Sequence, residues 1–224
     1  AQDANVDVNG NLISVVINSG SSQGPADDRR IKPDITGNGT GLYSTNSTND
    51  TSYTTLTGTS MSGPNVMGTL ALLQQYYNQT NGKFMRAATL KGLACHTADD
   101  AGKVGPDANF GWGLLNAKAA ANTITNNGLN SWISEEILSQ GQTFTMNVQS
   151  VVGVPLIASI TWTDIPGVAN TGILNDPTPA LVNDLDIRVT QANDTFFPWR
   201  LQSDADLNAL RDGDNNVDNV EIVK

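Results

Sequence analysis

The spacing of apolar positions changes character along the chain. Before Ser60 the apolar residues fall in short runs separated by Asn, Gly, Ser and Thr. Leu12-Ile13-Ser14-Val15-Val16-Ile17 is a β-branched run that stops at Asn18-Ser19-Gly20, the pattern of a short strand. In Asp28-Arg29-Arg30-Ile31-Lys32-Pro33-Asp34 the proline biases its predecessor away from helix, which predicts an extended segment. Residues 36–52 read as a long irregular polar loop. From Ser60 the period is helical. Val66, Leu70, Leu73 and Tyr77 fall on one face, with Met67 and Ala71 beside it, and Asn78-Gln79-Thr80-Asn81-Gly82 is a stop. A second helix is predicted over about 84–95, with Ala87, Leu90 and Ala94 on one side. A third follows the turn Phe110-Gly111-Trp112-Gly113, from Leu114 to Ala121.

After Asn126-Asn127-Gly128 the pattern becomes that of strands. Thr143, Thr145 and Asn147 alternate with Phe144, Met146 and Val148. The runs 156–162, 185–190 and 217–223 are also strand-like, with turn signals at Ile165-Pro166-Gly167, Asp176-Pro177-Thr178-Pro179 and Asp212-Gly213 between them. Helices before the change and strands after it predict two units, residues 1–128 and 129–224, the second an all-β sandwich.

Composition narrows the function classes. Twelve Lys and Arg stand against 22 Asp and Glu, for a net charge of −10. Such a surface repels phosphate backbones and anionic lipid, which argues against nucleic acid or a membrane surface as partner. No apolar run approaches the roughly 20 residues of a membrane span. The balance of Asn, Thr, Ser and Gly with 15% charged residues suits a secreted, β-rich protein. Cys95 is the single cysteine, so no disulfide forms within the chain, and a metal ion is one candidate for another staple.

The candidate chemistry lies in Gly58-Thr59-Ser60-Met61-Ser62-Gly63-Pro64, at a junction from loop to helix. A serine there projects from the first helical turn, where the dipole favours developing negative charge. Its backbone N–H lacks an intrahelical acceptor and can face an oxyanion. Small neighbours (Gly58, Ser62, Gly63) let a substrate backbone approach. On position alone, an N-cap role for Thr59 or Ser60 is the commoner use of such a junction.

The string G-T-S-M-x-x-P resembles the nucleophile motif of subtilisin-like serine peptidases, the subtilases. Ser21-Ser22-Gln23-Gly24-Pro25, Lys32-Pro33-Asp34, and Phe110-Gly111-Trp112-Gly113 with Asn116-Ala117 are similar to further elements of that family. Ile160-Thr161-Trp162-Thr163-Asp164, Leu181-Val182-Asn183-Asp184-Leu185-Asp186 and Asn215-Asn216-Val217-Asp218-Asn219-Val220 resemble the jelly-roll domain that follows some bacterial subtilase domains. The resemblance spans about Val15 to Val223. It implies an α/β fold, the C-terminal portion of a subtilase catalytic domain, followed by an all-β jelly-roll sandwich that stops early. It implies Ser60 as nucleophile of a secreted endopeptidase acting on polypeptides, with Gly58, Thr59 and Ser60 forming the nucleophile and oxyanion loop. The triad Asp and His and the oxyanion amide precede the serine in this family, so they are expected on a missing N-terminal part. The chain departs from the family after Asp34, where Ile35-Thr36-Gly37-Asn38 replaces an A-P-G turn. His96, the only histidine, follows the serine and lies beside Cys95. Neighbours on a helix point about 100° apart, so these two are expected to be structural rather than a thiol–imidazole dyad.

Asp184 and Asp186 are two apart on a predicted strand and face the same way. With Asp214 and Asp218 they offer a hard oxygen set suited to Ca²⁺, and the resembling jelly-roll domains carry calcium. The competing reading is a solvated acidic rim of Asx turns. The Asn-x-Ser/Thr sequences at Asn38, Asn46, Asn49, Asn78 and Asn193 mark segments expected to be exposed. The competing function for the whole is a degenerate relative whose sandwich binds a surface or polymer.

Overall fold

The computed structural model describes residues 2–170, 172–201 and 208–224. β1 (Gln2–Val6) and β2 (Leu12–Ile17) form an antiparallel hairpin with Ala4 opposite Val15. Its turn is held by the Asp7 carboxylate, which accepts the N–H groups of Asn9 and Asn11, each at 2.8 Å. The segment expected to be an irregular loop contains a second hairpin. β3 (Leu42–Thr45) pairs with β4 (Tyr53–Leu56), placing Tyr43 opposite Thr55 and Thr45 opposite Tyr53. Strand-forming Tyr and Thr alternate there onto one face, and the rings of Tyr43 and Tyr53 stack at 5.3 Å. Polar composition hid that alternation from the sequence reading.

Three helices follow: α1 (Thr59–Asn81), α2 (Ala87–His96) and α3 (Ala117–Thr125). α1 ends at Gly82, whose N–H returns to Asn78 O. α3 starts at Asn116, whose side chain accepts the Ala119 N–H at 2.8 Å. Leu73 and Tyr77 of α1, Leu93 of α2, and Ala120 and Ile124 of α3 close one core with Met85. The predicted face of α1 is therefore the buried one, with Leu70 packed at its edge and Met67 exposed. α2 does not show one apolar face. Gly92, Leu93, Ala94 and Cys95 are all buried, because the helix lies between two cores.

The second core crosses the boundary predicted near residue 128. Ile31, Cys95 and Trp112 pack with Leu201, Val220 and Ile222. β5 (Ala158–Thr161) pairs antiparallel with β10 (Val220–Val223), and β5 lies against α2. Gly92 makes that approach possible, since a Cβ there would lie 2.5 Å from Thr161 Oγ1. The remaining ladders join β6 (Val189–Gln191) to β7 (Asp194–Phe196) and β8 (Arg200–Leu201) to β9 (Ala209–Leu210). All sheets among the described residues are two-stranded. The strand predicted over 143–148 is not formed, and Phe144, Met146 and Val148 stand about half exposed. Alternation specifies a strand only where a neighbouring strand takes up its N–H and C=O groups.

The chain exposes 13569 Å². A compact monomer of 23.7 kDa exposes about 9,800 Å². The difference is carried in part by large apolar side chains, among them Val8, Met67, Leu72, Leu129 and Trp132.

Candidate active site

β4 runs through Thr57 and Gly58 into the first turn of α1. The loop is pinned to the foot of its own hairpin. Gly58 N–H donates to Gly39 O at 2.8 Å, and Gly41 N–H donates to Thr57 Oγ1 at 2.9 Å. Gly58 is the N-cap, without a side-chain cap bond, and its carbonyl accepts the N–H groups of Met61 and Ser62 at 3.1 and 3.2 Å. Thr59 and Ser60 are therefore the first helical residues and not caps. Ser60 is exposed on the second position of the helix. At that position its N–H has no intrahelical acceptor and lies at the positive end of the dipole. Pro64 lies within the helix, four residues on, and brings no N–H to the Ser60 carbonyl. The serine thus sits where the helical ladder is open on both its N–H and its C=O.

Ser62, expected among the residues open to a substrate, is instead buried. Its Oγ donates to Gly37 O at 2.7 Å. Two residues apart on a helix is about 200°, so Ser60 faces out while Ser62 holds the back of the turn.

Residues 31–37 form a strap behind this turn, bent at Pro33 and Asp34. Ile31 N–H donates to Asp218 Oδ1 at 2.8 Å, and the Asp34 carboxylate pairs with Lys32 at 2.7 Å and Lys91 at 3.0 Å. Burial pushes the Asp34 carboxyl up, but the Lys32 hydrogen bond and the Lys32 and Lys91 charges outweigh it and hold it below its ordinary value. Asp34 O accepts the Trp112 N–H, and Thr36 N–H and Oγ1 both donate to Gly113 O at 3.0 Å. The glycine of the Phe110-Gly111-Trp112-Gly113 element explains the close approach. Gly111 has φ 62°, and a Cβ on it would lie 1.9 Å from Pro33 O. The Lys32-Pro33-Asp34 and Phe110-Gly111-Trp112-Gly113 elements, far apart in sequence, are thus in contact behind this turn.

Residues 8–113 match the Subtilase family. This segment belongs to the subtilases. Over 67 residues, 30% of this chain and 6% of the relative, the sequence is 46% identical to the neisserial autotransporter lipoprotein NalP of Neisseria meningitidis serogroup B. Over 75 residues, 33% of this chain and 4% of the relative, it is 41% identical to a PII-type proteinase of Lactococcus lactis subsp. cremoris. The aligned stretch is a small part of each of these longer relatives.

His96 is the last residue of α2 in this subtilase segment. Its Nδ1 lies 3.0 Å from Ser159 Oγ on β5, and burial lowers its pKa, favouring the neutral ring. Burial, reinforced by the Asp34 charge, pushes the Cys95 thiol up to about 12. Cys95 is an inert core thiol at neutral pH.

The four aspartates named as calcium ligands do not form one group. Asp186 and Asp214 share Arg188, with Asp186 at 3.7 Å from it. Burial and the charges of Asp186 and Asp214 raise the Asp184 pKa. Asp218 lies elsewhere. It is buried, bound to Ile31 N–H and to Asn215 Nδ2 at 2.9 Å, and pushed up to about 6 by burial. The acidic group instead includes Glu221, which the sequence reading missed. Its side chain is fully buried, Oε2 accepts the Ile187 N–H at 2.9 Å, and Oε1 has no hydrogen-bond partner among the described residues. Burial pushes Glu221 up to about 8, with Asp186, Asp184 and Asp214 adding to the rise. Its signal was legible as a lone carboxylate within Val220-Glu221-Ile222-Val223. Among the described residues no three His, Cys, Asp or Glu side chains converge as metal ligands.

Proposed function

We propose that the chain is the nucleophile-bearing portion of a serine endopeptidase that cleaves polypeptides through an acyl-enzyme at Ser60. The observation that carries the reading is the exposed, uncapped Ser60 at the open N-terminal end of α1. A base takes the Ser60 proton as Oγ bonds to the substrate carbonyl carbon. The oxygen of that carbonyl becomes an oxyanion, met by the Ser60 N–H and the helix dipole, with Thr59 Oγ1 as a further donor. Collapse breaks the C–N bond, the protonated base gives its proton to the leaving amine, and water later releases the acyl group. His96 is not that base, since its ring is engaged with Ser159 beyond the far end of α2. The triad Asp and His and the second oxyanion donor come from further polypeptide preceding this segment. The excess exposed surface and the exposed apolar side chains of Met67 and Leu72 support a covering of that kind.

Residues 129–224 belong to a β-sandwich module that includes the β5–β10 ladder, whose β10 strand is buried, and the protein acts outside the cell. That location is supported by the composition and by the autotransporter name of one relative. No helix among the described residues is long and apolar enough to cross a membrane. Calcium near Asp184, Asp186 and Asp214 is proposed on donor chemistry alone, because these carboxylates do not converge as a formed metal site among the described residues. Arg188 balances two of these carboxylates, Asp218 is engaged elsewhere, and the unpartnered Glu221 oxygen is the group in this cluster that a cation would relieve.

Casein hydrolysis by the chain alone and by the chain combined with upstream subtilase polypeptide tests the reading. The chain alone is silent. The combination is active, loses activity in Ser60→Ala and keeps it in His96→Gln. A combination that stays silent while folded supports the degenerate, polymer-binding relative instead.

A further inference from the structure

We propose that Ser62 is a positioning residue for the nucleophile, and that residues 31–37 are a strap through which the C-terminal segment holds the turn carrying Ser60. The proposal rests on Ser60 being the nucleophile. The strap is fastened at one end from the C-terminal segment, by Asp218 Oδ1 on the Ile31 N–H at 2.8 Å. Lys91 adds a second fastening, reaching Asp34 Oδ1 and Asn219 Oδ1, each at 3.0 Å. Trp112, Gly113 and Leu115 hold its middle through backbone hydrogen bonds. Its other end is Gly37, whose carbonyl takes the buried Ser62 hydroxyl at 2.7 Å.

Gly37 has no room to move toward the helix. A Cβ on it would lie 2.5 Å from Val66 Cγ2, 3.2 Å from Asn65 Oδ1 and 3.3 Å from Ser62 O. The strap therefore lies directly on the face of α1 formed by Ser62, Asn65 and Val66. The ladder of this turn lacks the bond that Pro64 would have made to Ser60 O. Fewer helical bonds fix the turn, so the side-chain bond from Ser62 carries more of its orientation. An oxyanion donor works only when its direction is fixed before the reaction.

The test is made on the 224-residue chain by amide NMR and hydrogen exchange. Ser62→Ala shifts the Ser60 and Met61 amide resonances and speeds exchange of the Ser62 and Gly63 amides about tenfold, the worth of one lost internal hydrogen bond. Exchange in α2 and α3 is unchanged. Ser62→Thr, which keeps the hydroxyl, restores the resonances, and Gly37→Ala, which displaces the strap from the other side, reproduces the alanine effect. Unmoved Ser60 and Met61 amides in a folded Ser62→Ala chain overturn the proposal, as does failure of Ser62→Thr to restore them. In the combination with upstream polypeptide, Ser62→Ala lowers kcat about tenfold with KM unchanged. If the unsubstituted combination is silent, the nucleophile reading fails, while the amide shifts still decide the strap.

Discussion

Asp218→Ala tests how the C-terminal segment is tied to the subtilase segment. The carboxylate is 6% exposed and accepts the N–H of Ile31, itself 1% exposed. Alanine leaves that N–H without its acceptor at a cost of about 1–3 kcal/mol, and loses the Asn215 bond, worth about 1 kcal/mol. Against this, alanine removes a buried charge. The folded pKa is raised from 3.8 to about 6, so the folded state holds the proton more tightly than the unfolded chain. The resulting stability is fully present below 3.8 and is lost as pH rises through about 6. Between pH 4.5 and 7.5 the unsubstituted protein loses about 2 kcal/mol through this group that the variant does not. The variant is therefore less stable by about 2–4 kcal/mol at pH 4.5 and by about 0–2 kcal/mol at pH 7.5. Other titrating groups are common to both proteins and cancel in the difference. Thermal unfolding reads this as a gap in Tm of about 4–16 °C in acid that narrows by about 4–8 °C near neutrality. A gap that is constant with pH refutes the buried-carboxylate reasoning. A variant as stable as the parent at pH 4.5 refutes the staple.

The other predictions concern neighbouring groups. Glu221 has a folded pKa raised from 4.5 to about 8, so stability falls as pH rises between these values, and Glu221→Gln flattens the fall in thermal unfolding. Millimolar Ca²⁺ raises Tm by several degrees at pH 8, more than at pH 5, and more than Mg²⁺ at equal ionic strength; coincident Ca²⁺ and Mg²⁺ curves mean a solvated acidic rim. Gly111→Ala lowers stability by about 2 kcal/mol or more, because its Cβ meets Pro33 O at 1.9 Å in a left-handed conformation; an unchanged midpoint contradicts that packing. Cys95 resists a thiol reagent until the chain is unfolded, and rapid labelling of the native protein contradicts its burial.

What the sequence made legible follows from how local each signal is. Helical spacing found α1 and its stop at Gly82, because both depend on residues within a few turns. The Lys32-Pro33-Asp34 and Phe110-Gly111-Trp112-Gly113 elements were recognisable as strings, but their contact depends on a fold that brings Gly111 onto Pro33. The role of Ser62 was hidden because its partner, Gly37, lies 25 residues away and offers only a carbonyl. Asp218 was grouped with the acidic residues near it in sequence, yet it binds Ile31, 187 residues distant. The alternation at 143–148 predicted a strand without supplying the strand beside it. Ser60 was legible because the motif and the helix start occupy the same seven residues.

The most direct measurement is the site of covalent capture by a fluorophosphonate probe, mapped by peptide mass spectrometry in the chain combined with upstream subtilase polypeptide. Modification is expected on Ser60 alone, to vanish in Ser60→Ala and to persist in His96→Gln. Capture on another serine, or capture that survives Ser60→Ala, contradicts the assignment of Ser60 as the nucleophile.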